Sequence, residues 1–187
     1  FRGATLIVSN SSAVFGFPAS FTKSISASVL GIPVIAIVAI IVALILAFLT
    51  IKTKLGRNIY ALGGNKESAW YSGINVKLHT LIVFIISGLC AGIAGIVLLG
   101  RVGSAEPAAA TGFETYAIAA AIIGGTSFFG GKGKIHGVVV GGLIIGVINY
   151  GMNILSLSST LQQVVMGALI IGSVALDRFV GSKNTSK

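Results

Sequence analysis

The sequence predicts an all-α polytopic membrane protein, a bundle of about four full transmembrane helices plus one short or broken helix. Three observations carry this. Of 187 residues, 55% are hydrophobic and only 9% charged, against about 25% charged in an ordinary soluble domain. The mean hydropathy is +1.00, which leaves too little polar surface to keep a soluble fold dispersed. Apolar runs also recur at the length an α-helix needs to cross hydrocarbon, about 20 residues.

Taken in order, the chain opens on "FRGATLIVSN", with neither a Met nor a signal-peptide n-region. The expectation is a fragment starting within or just after an earlier span. Pro33–Ile51 is the first span, with Pro33 in the first turn, where its missing N–H does no harm. Leu78–Gly100 is the second, Ile135–Asn153 the third and Ser156–Leu176 the fourth, with a tight turn over Asn153–Thr160 between the last two. Thr115–Gly131, "TYAIAAAIIGGTSFFGG", is uncharged but short and rich in small residues. It reads as a thin or broken crossing packed among other helices, because unwound backbone at that depth must be buried in protein or line a cavity.

Orientation follows from Lys and Arg. With Thr115–Gly131 counted as one crossing, one side holds Lys52, Lys54, Arg57, Lys66, Lys77, Lys132, Lys134, Arg178, Lys183 and Lys187. The other holds only Arg2, Lys23 and Arg101, so the first side is cytoplasmic. The net charge of +9 is thereby a topology signal. No basic cluster interleaved with aromatics is present to suggest a nucleic-acid groove. The single cysteine, Cys90, excludes an intramolecular disulfide framework and a C-x-x-C site.

Small residues at helical spacing let backbones approach closely, the contact that lipid cannot drive hydrophobically. Gly88/Gly92, Gly137/Gly141 and Gly142/Gly146 are three such pairs and the expected packing positions. "GGTSFFGGKGKIHG", Gly124–Gly137, fails the phosphate-loop pattern because Thr126 and Gly133 stand where Gly and Ser/Thr are needed. It fails the dinucleotide pattern at His136. His79 and His136 have no carboxylate at ligand spacing, and no serine or threonine is paired with a base, so an enzymatic role is not expected. No cofactor is expected in the chain itself.

Polar residues inside the spans have two readings. Asn149 and Asn153 share a helix face, with Gln162 and Gln163 across the turn. They either bind sugar hydroxyls along a translocation path or hold helices together, and the second is favoured. Glu114, at the mouth of the broken segment, is either a pathway residue or a carboxylate placed to suit a helix N-terminus.

The polar island "ALGGNKESAWYSGINVKL", Ala61–Leu78, carries its own start and stop signals. Gly63-Gly64 breaks what precedes it, Asn65 is an N-cap, Glu67 falls in the first turn, and Gly73 suits a left-handed C′ position. A helix over Lys66–Ser72 follows. Helices below about 12 residues are marginal alone in water, so it needs a support: the membrane surface, with Trp70 and Tyr71 as anchors, or a partner protein.

"GRNIYALGGN", "SGINV" and "AIIGGTSFFGGKGKIHG", in that order, resemble the permease subunit of bacterial ABC importers for ribose and similar sugars. The likeness runs from "FRGATLIVSN" to Asp177 and matches the C-terminal half of that family. It implies one transmembrane permease domain over residues 1–187, half of the importer permease fold, with a cytoplasmic loop over 52–77. It implies a pore formed by two permease copies in the bacterial cytoplasmic membrane, an extracytoplasmic sugar-binding protein, and a separate ATPase that binds the ATP. It implies further that the short helix is the coupling helix, docking on the ATPase through Asn65, Glu67, Ser68, Ala69, Ser72 and Gly73. The family pattern there reads Glu-Ala-Ala, whereas this chain has Glu67-Ser68-Ala69 followed by bulky Trp70 and Tyr71. Related permeases move nucleosides, branched-chain amino acids or autoinducer sugars. An ion-coupled secondary transporter is the reading from another class, and it would favour acidic residues within the spans, which have none.

Overall fold

The computed structural model describes residues 2–184, and the side chains of Arg2, Leu176 and 178–184 are outside the description. Of the orientation signals, Lys187 therefore lies outside the described residues, as do the side chains of Arg2, Arg178 and Lys183. The chain divides into two compact units, Phe1–Ile45 with Leu81–Thr111, and Leu46–Thr80 with Gly112–Lys187.

The first unit contains α1 (Arg2–Val8), α2 (Ala19–Ser26) and a two-stranded antiparallel hairpin, β1 (Ser28–Val29) and β2 (Ile32–Pro33). The hairpin turns through Leu30 and Gly31, both at positive φ (53° and 82°), the geometry that matches the twist of the flanking strands. The hairpin leads into α3 (Val34–Lys52). Pro33 thus ends a strand and precedes the helix, where the sequence reading had put it in the first turn. The unit also holds most of α6 (Val76–Val102). α2 packs against the end of that helix at Gly100, where an added Cβ would lie 2.7 Å from Ile25 Cβ. A bridge between Val14 and Ala105, with N–O distances of 2.9 and 3.0 Å, fastens the loop before α2 to the one after α6.

The second unit contains α4 (Lys54–Gly64), α5 (Lys66–Tyr71), α7 (Phe113–Ile123), α8 (Ile135–Ile154) and α9 (Ser159–Asn184). Its core is Ala119 and Ala120 of α7, Ile145 and Met152 of α8 and Met166 of α9, with Tyr116, Ile148, Leu169 and Ile170 packed round them. α7 has 11 residues, about 16 Å at the α-helical rise and well short of a hydrocarbon core of about 30 Å. This is the short helix the small-residue composition predicted. It stops at Gly124, and Gly125 turns away at φ 84°.

Among the described residues three helices are long and apolar enough to cross a membrane: α3, α6 and α8. The fourth expected span corresponds to α9, whose apolar part is Ser159–Ala175. The island differs from a plain loop with one short helix, since Lys54–Gly64 is itself helical, capped by Thr53, whose hydroxyl accepts the Gly56 N–H at 3.2 Å.

Candidate functional site

Both ends of α5 are closed by local chemistry. Asn65 is extended (φ −154°, ψ 110°), and its side-chain oxygen accepts the Ser68 N–H at 2.9 Å, removing one of the donors a helix start leaves orphaned. At the other end Gly73 sits at φ 81°. Its N–H donates to the Trp70 carbonyl at 2.9 Å, and the Ile74 N–H donates to the Ala69 carbonyl at 3.0 Å. That pair of bonds is the Schellman stop, and the left-handed φ it needs is why glycine stands there. The Ser72 hydroxyl donates to the Ser68 carbonyl at 2.8 Å.

α5 packs on α4 and has one buried residue, Ala69. Glu67, in the first turn, is exposed. Trp70 and Tyr71 form an edge-on pair with centroids 5.0 Å apart, and they are 63% and 80% exposed. Together with Lys66, Glu67 and Lys77 they border an open groove of about 730 Å³ between α5 and the start of α6. The pair is left largely uncovered by this chain, and such side chains are what interfaces enrich.

The loop carrying α5 is tied at its base. His79 Nε2 lies 2.9 Å from the Asn58 side-chain nitrogen, and His79 Nδ1 lies 2.8 Å from the Asn75 carbonyl oxygen. An amide nitrogen can only donate, so Nε2 accepts and Nδ1–H donates to Asn75. The sequence reading had said of His79 only that it has no carboxylate at ligand spacing. Its bond to α4 spans 21 residues and has no local signal.

The other expected residues fall into separate places. Glu114 lies in the first turn of α7, behind Gly112 at φ 88°, so it occupies the helix-dipole position of the second of its two readings. The Asn153 amide donates to the Asn149 carbonyl and side-chain oxygens at 3.0 and 3.2 Å, and its own oxygen accepts from Gln162 at 3.2 Å. Gln162 is buried and also donates to the Leu157 carbonyl at 3.0 Å. The three amides thus join α8 to α9 across the turn.

The glycine pairs divide by face. Gly137 and Gly141 press on α7, where a methyl at either would strike the Gly124 or the Ala120 carbonyl. Gly142 and Gly146 have nothing within 4 Å of an added Cβ, and the same holds for Gly88 and Gly92. Those four therefore meet no other part of the described chain at an added Cβ. At 3.6 residues per turn Gly141 and Gly142 point about 100° apart, so only one pair of α8 can face α7.

Contacts that sequence reasoning missed lie where α4 meets the segment between α7 and α8. The Tyr60 hydroxyl donates to the Gly133 carbonyl at 2.9 Å. An added Cβ on Gly63 would lie 2.7 Å from the Gly131 nitrogen, and one on Gly131 would lie 2.7 Å from Gly64 Cα. Neither phosphate-type motif test could have found this, because the glycines serve backbone contact and not a ligand.

The chain was compared with known proteins. A family model described as the permease component of a branched-chain amino acid transport system matches residues 3–174. The D-allose transport system permease protein of Escherichia coli K12 is 64% identical over 96% of this chain and 55% of its own length. The ribose import permease protein of Bacillus subtilis 168 is 41% identical over 95% of this chain and 56% of its own. The L-arabinose transport system permease protein of E. coli K12 is 38% identical over 95% of this chain and 54% of its own. The chain therefore spans about half the length of the curated relatives it matches. No solved structure matches it.

Proposed function

The chain belongs to the family of transport-system permease components, multi-pass proteins of the cytoplasmic membrane, and on that premise we propose that it forms part of the translocation pore of an ATP-driven monosaccharide importer. One transmembrane permease domain extends over residues 1–187, and residues 52–77 form its cytoplasmic loop. The partners are a separate ATPase that binds the nucleotide, an extracytoplasmic sugar-binding protein and a second permease copy. The chain itself carries no cofactor and no catalytic residue.

The observation that supports this best is α5. A six-residue helix capped at both ends, with an uncovered aromatic pair, is too short to persist for its own sake. It is a preformed plug, and a preformed plug lowers the ordering cost of docking. Ser68, Ser72 and Gly73 shape it, Asn65 and Ala69 hold it, and Glu67, Trp70 and Tyr71 meet the ATPase. The charge count that puts 52–77 on the cytoplasmic side agrees with this direction of docking. The substrate class rests on relatives named for D-allose, ribose and L-arabinose.

The test is reconstitution of the full-length permease with its ATPase and binding protein in proteoliposomes. D-allose, ribose, L-arabinose and leucine are offered side by side. Uptake of one of the sugars with ATP hydrolysis is expected, with loss of both in Glu67→Arg and Gly73→Pro. Uptake of leucine alone refutes the sugar reading. Full activity in both variants refutes the assignment of α5.

A further inference from the structure

The two glycine-rich stretches of the second unit, "ALGGN" and "FFGGKGK", are far apart in sequence and meet backbone to backbone. Gly130 and Gly131 adopt φ 91° and 71°, a pair of left-handed residues that a side chain would strain. An added Cβ on Gly130 would lie 2.6 Å from the Gly63 carbonyl oxygen. The loop is closed on itself by Ser127 N–H to Lys132 carbonyl at 3.0 Å and Gly130 N–H to Ser127 carbonyl at 3.1 Å. It is fastened outward on two sides. Tyr60 of α4 holds Gly133 immediately before α8, and the Ser127 hydroxyl donates to Asp177 of α9 at 2.9 Å. At its base Gly124 and Gly137 touch with no room for a methyl, which locks the end of α7 to the start of α8. On the far side, α4 is separated from α5 by the single residue Asn65.

We propose that this contact is a clasp through which displacement of α5 reaches the α7–α8–α9 bundle, with Gly63, Gly131 and Tyr60 as its positioning residues. The inference rests on the docking role given to α5 above and adds the route inward from it. α5 has two exits. One runs forward through Gly73 into α6, and the other runs back through Asn65 into α4. The backward exit reaches the bundle core because the C-terminal end of α4 lies on Gly130 and Gly131 without intervening side chains. Backbone contact of this kind is stiff, as there are no rotamers to absorb a shift. Asp177 and Tyr60 then pass the same displacement to α9 and to the first turn of α8.

The experiment uses the full-length permease with its ATPase and binding protein, and compares Gly63→Ala, Tyr60→Phe and Gly64→Ala. Gly64 is the control, since an added Cβ there meets nothing within 4 Å. Sugar imported per ATP hydrolysed is expected to fall by about twofold to thirtyfold in Gly63→Ala and by a smaller factor in Tyr60→Phe, the range of coupling changes along a contact network. ATP hydrolysis is expected to stay near the wild-type rate, and Gly64→Ala to leave the ratio unchanged. A clasp that only stabilises the fold would lower import and hydrolysis together with the ratio intact, and that result overturns the proposal. A second readout does not need the solute. A fluorophore on Phe129→Cys in a Cys90→Ala background is expected to respond to ATP, and to lose that response when Gly63→Ala is added. If the wild-type complex hydrolyses ATP but imports no sugar, the solute reading fails and the fluorophore still decides the clasp. No ATP response in the Gly63-intact protein, or an undiminished response in Gly63→Ala, overturns it.

Discussion

The long helices α3 and α6 and the short helix α7 are equally apolar to the eye, and the structure uses them in opposite ways. In α3 and α6 the most apolar 18-residue stretch has none of its residues buried by this chain, although the helices are 19 and 27 residues long. α7 has only 11 residues, yet Ala119, Ala120 and Ile122 are buried. Within this chain, length and hydrophobicity therefore do not predict burial, and in α7 it is small residues that meet α8 and α9. Large side chains such as Leu44, Phe48, Phe84 and Leu89 cover the exposed helices. Alanines let α7 sit between α8 and α9, and Gly137 and Gly141 let α8 come up to it.

The comparison can be broken by substitutions on either side of it, read as unfolding free energies of the full-length permease in detergent. Met166, fully buried beside α7, should show the largest effect: Met166→Ala is expected to cost about 2–5 kcal/mol, as for other large-to-small core changes. Gly141→Ala follows, at about 1–3 kcal/mol for an overpacked contact. Its neighbour Gly142→Ala should cost less than about 0.5 kcal/mol as a substitution away from any such contact. Equal effects at 141 and 142 would mean that α7 does not choose between the faces of α8. Asn153→Leu should cost about 0.6 kcal/mol, the average for an interhelical side-chain hydrogen bond in a membrane. A much larger loss of sugar uptake than of stability in that variant would instead favour the pathway reading of Asn149 and Asn153. Smallest on the fold is Trp70→Ala, within about 0.5 kcal/mol because the ring is exposed. The same variant should weaken ATPase binding in a pull-down by about tenfold or more, as for a buried aromatic anchor.

What was legible in the sequence was whatever is encoded locally. The caps of α5 were read correctly because Asn65 and Gly73 act within three or four residues of themselves. The spans over α3, α6 and α8 were placed to within a few residues because hydrocarbon imposes a length. α4 was missed because it lay within a stretch read as one loop, although Leu55, Ile59 and Leu62 fall on one helical face. The packing glycines were found as a set and not sorted, since a spacing of four says that two residues share a face and leaves open what that face meets.

The sequence by itself determined the membrane setting, the short helix and its ends, and the family, because composition, capping and motif order are properties of neighbouring residues. Tertiary structure alone decided that α7 is the centre of the second unit and that Tyr60 reaches Gly133. It alone set Gly63 against Gly131. The last two contacts join residues about seventy positions apart, and a glycine chosen to let a distant backbone pass looks the same in sequence as one that merely turns the chain.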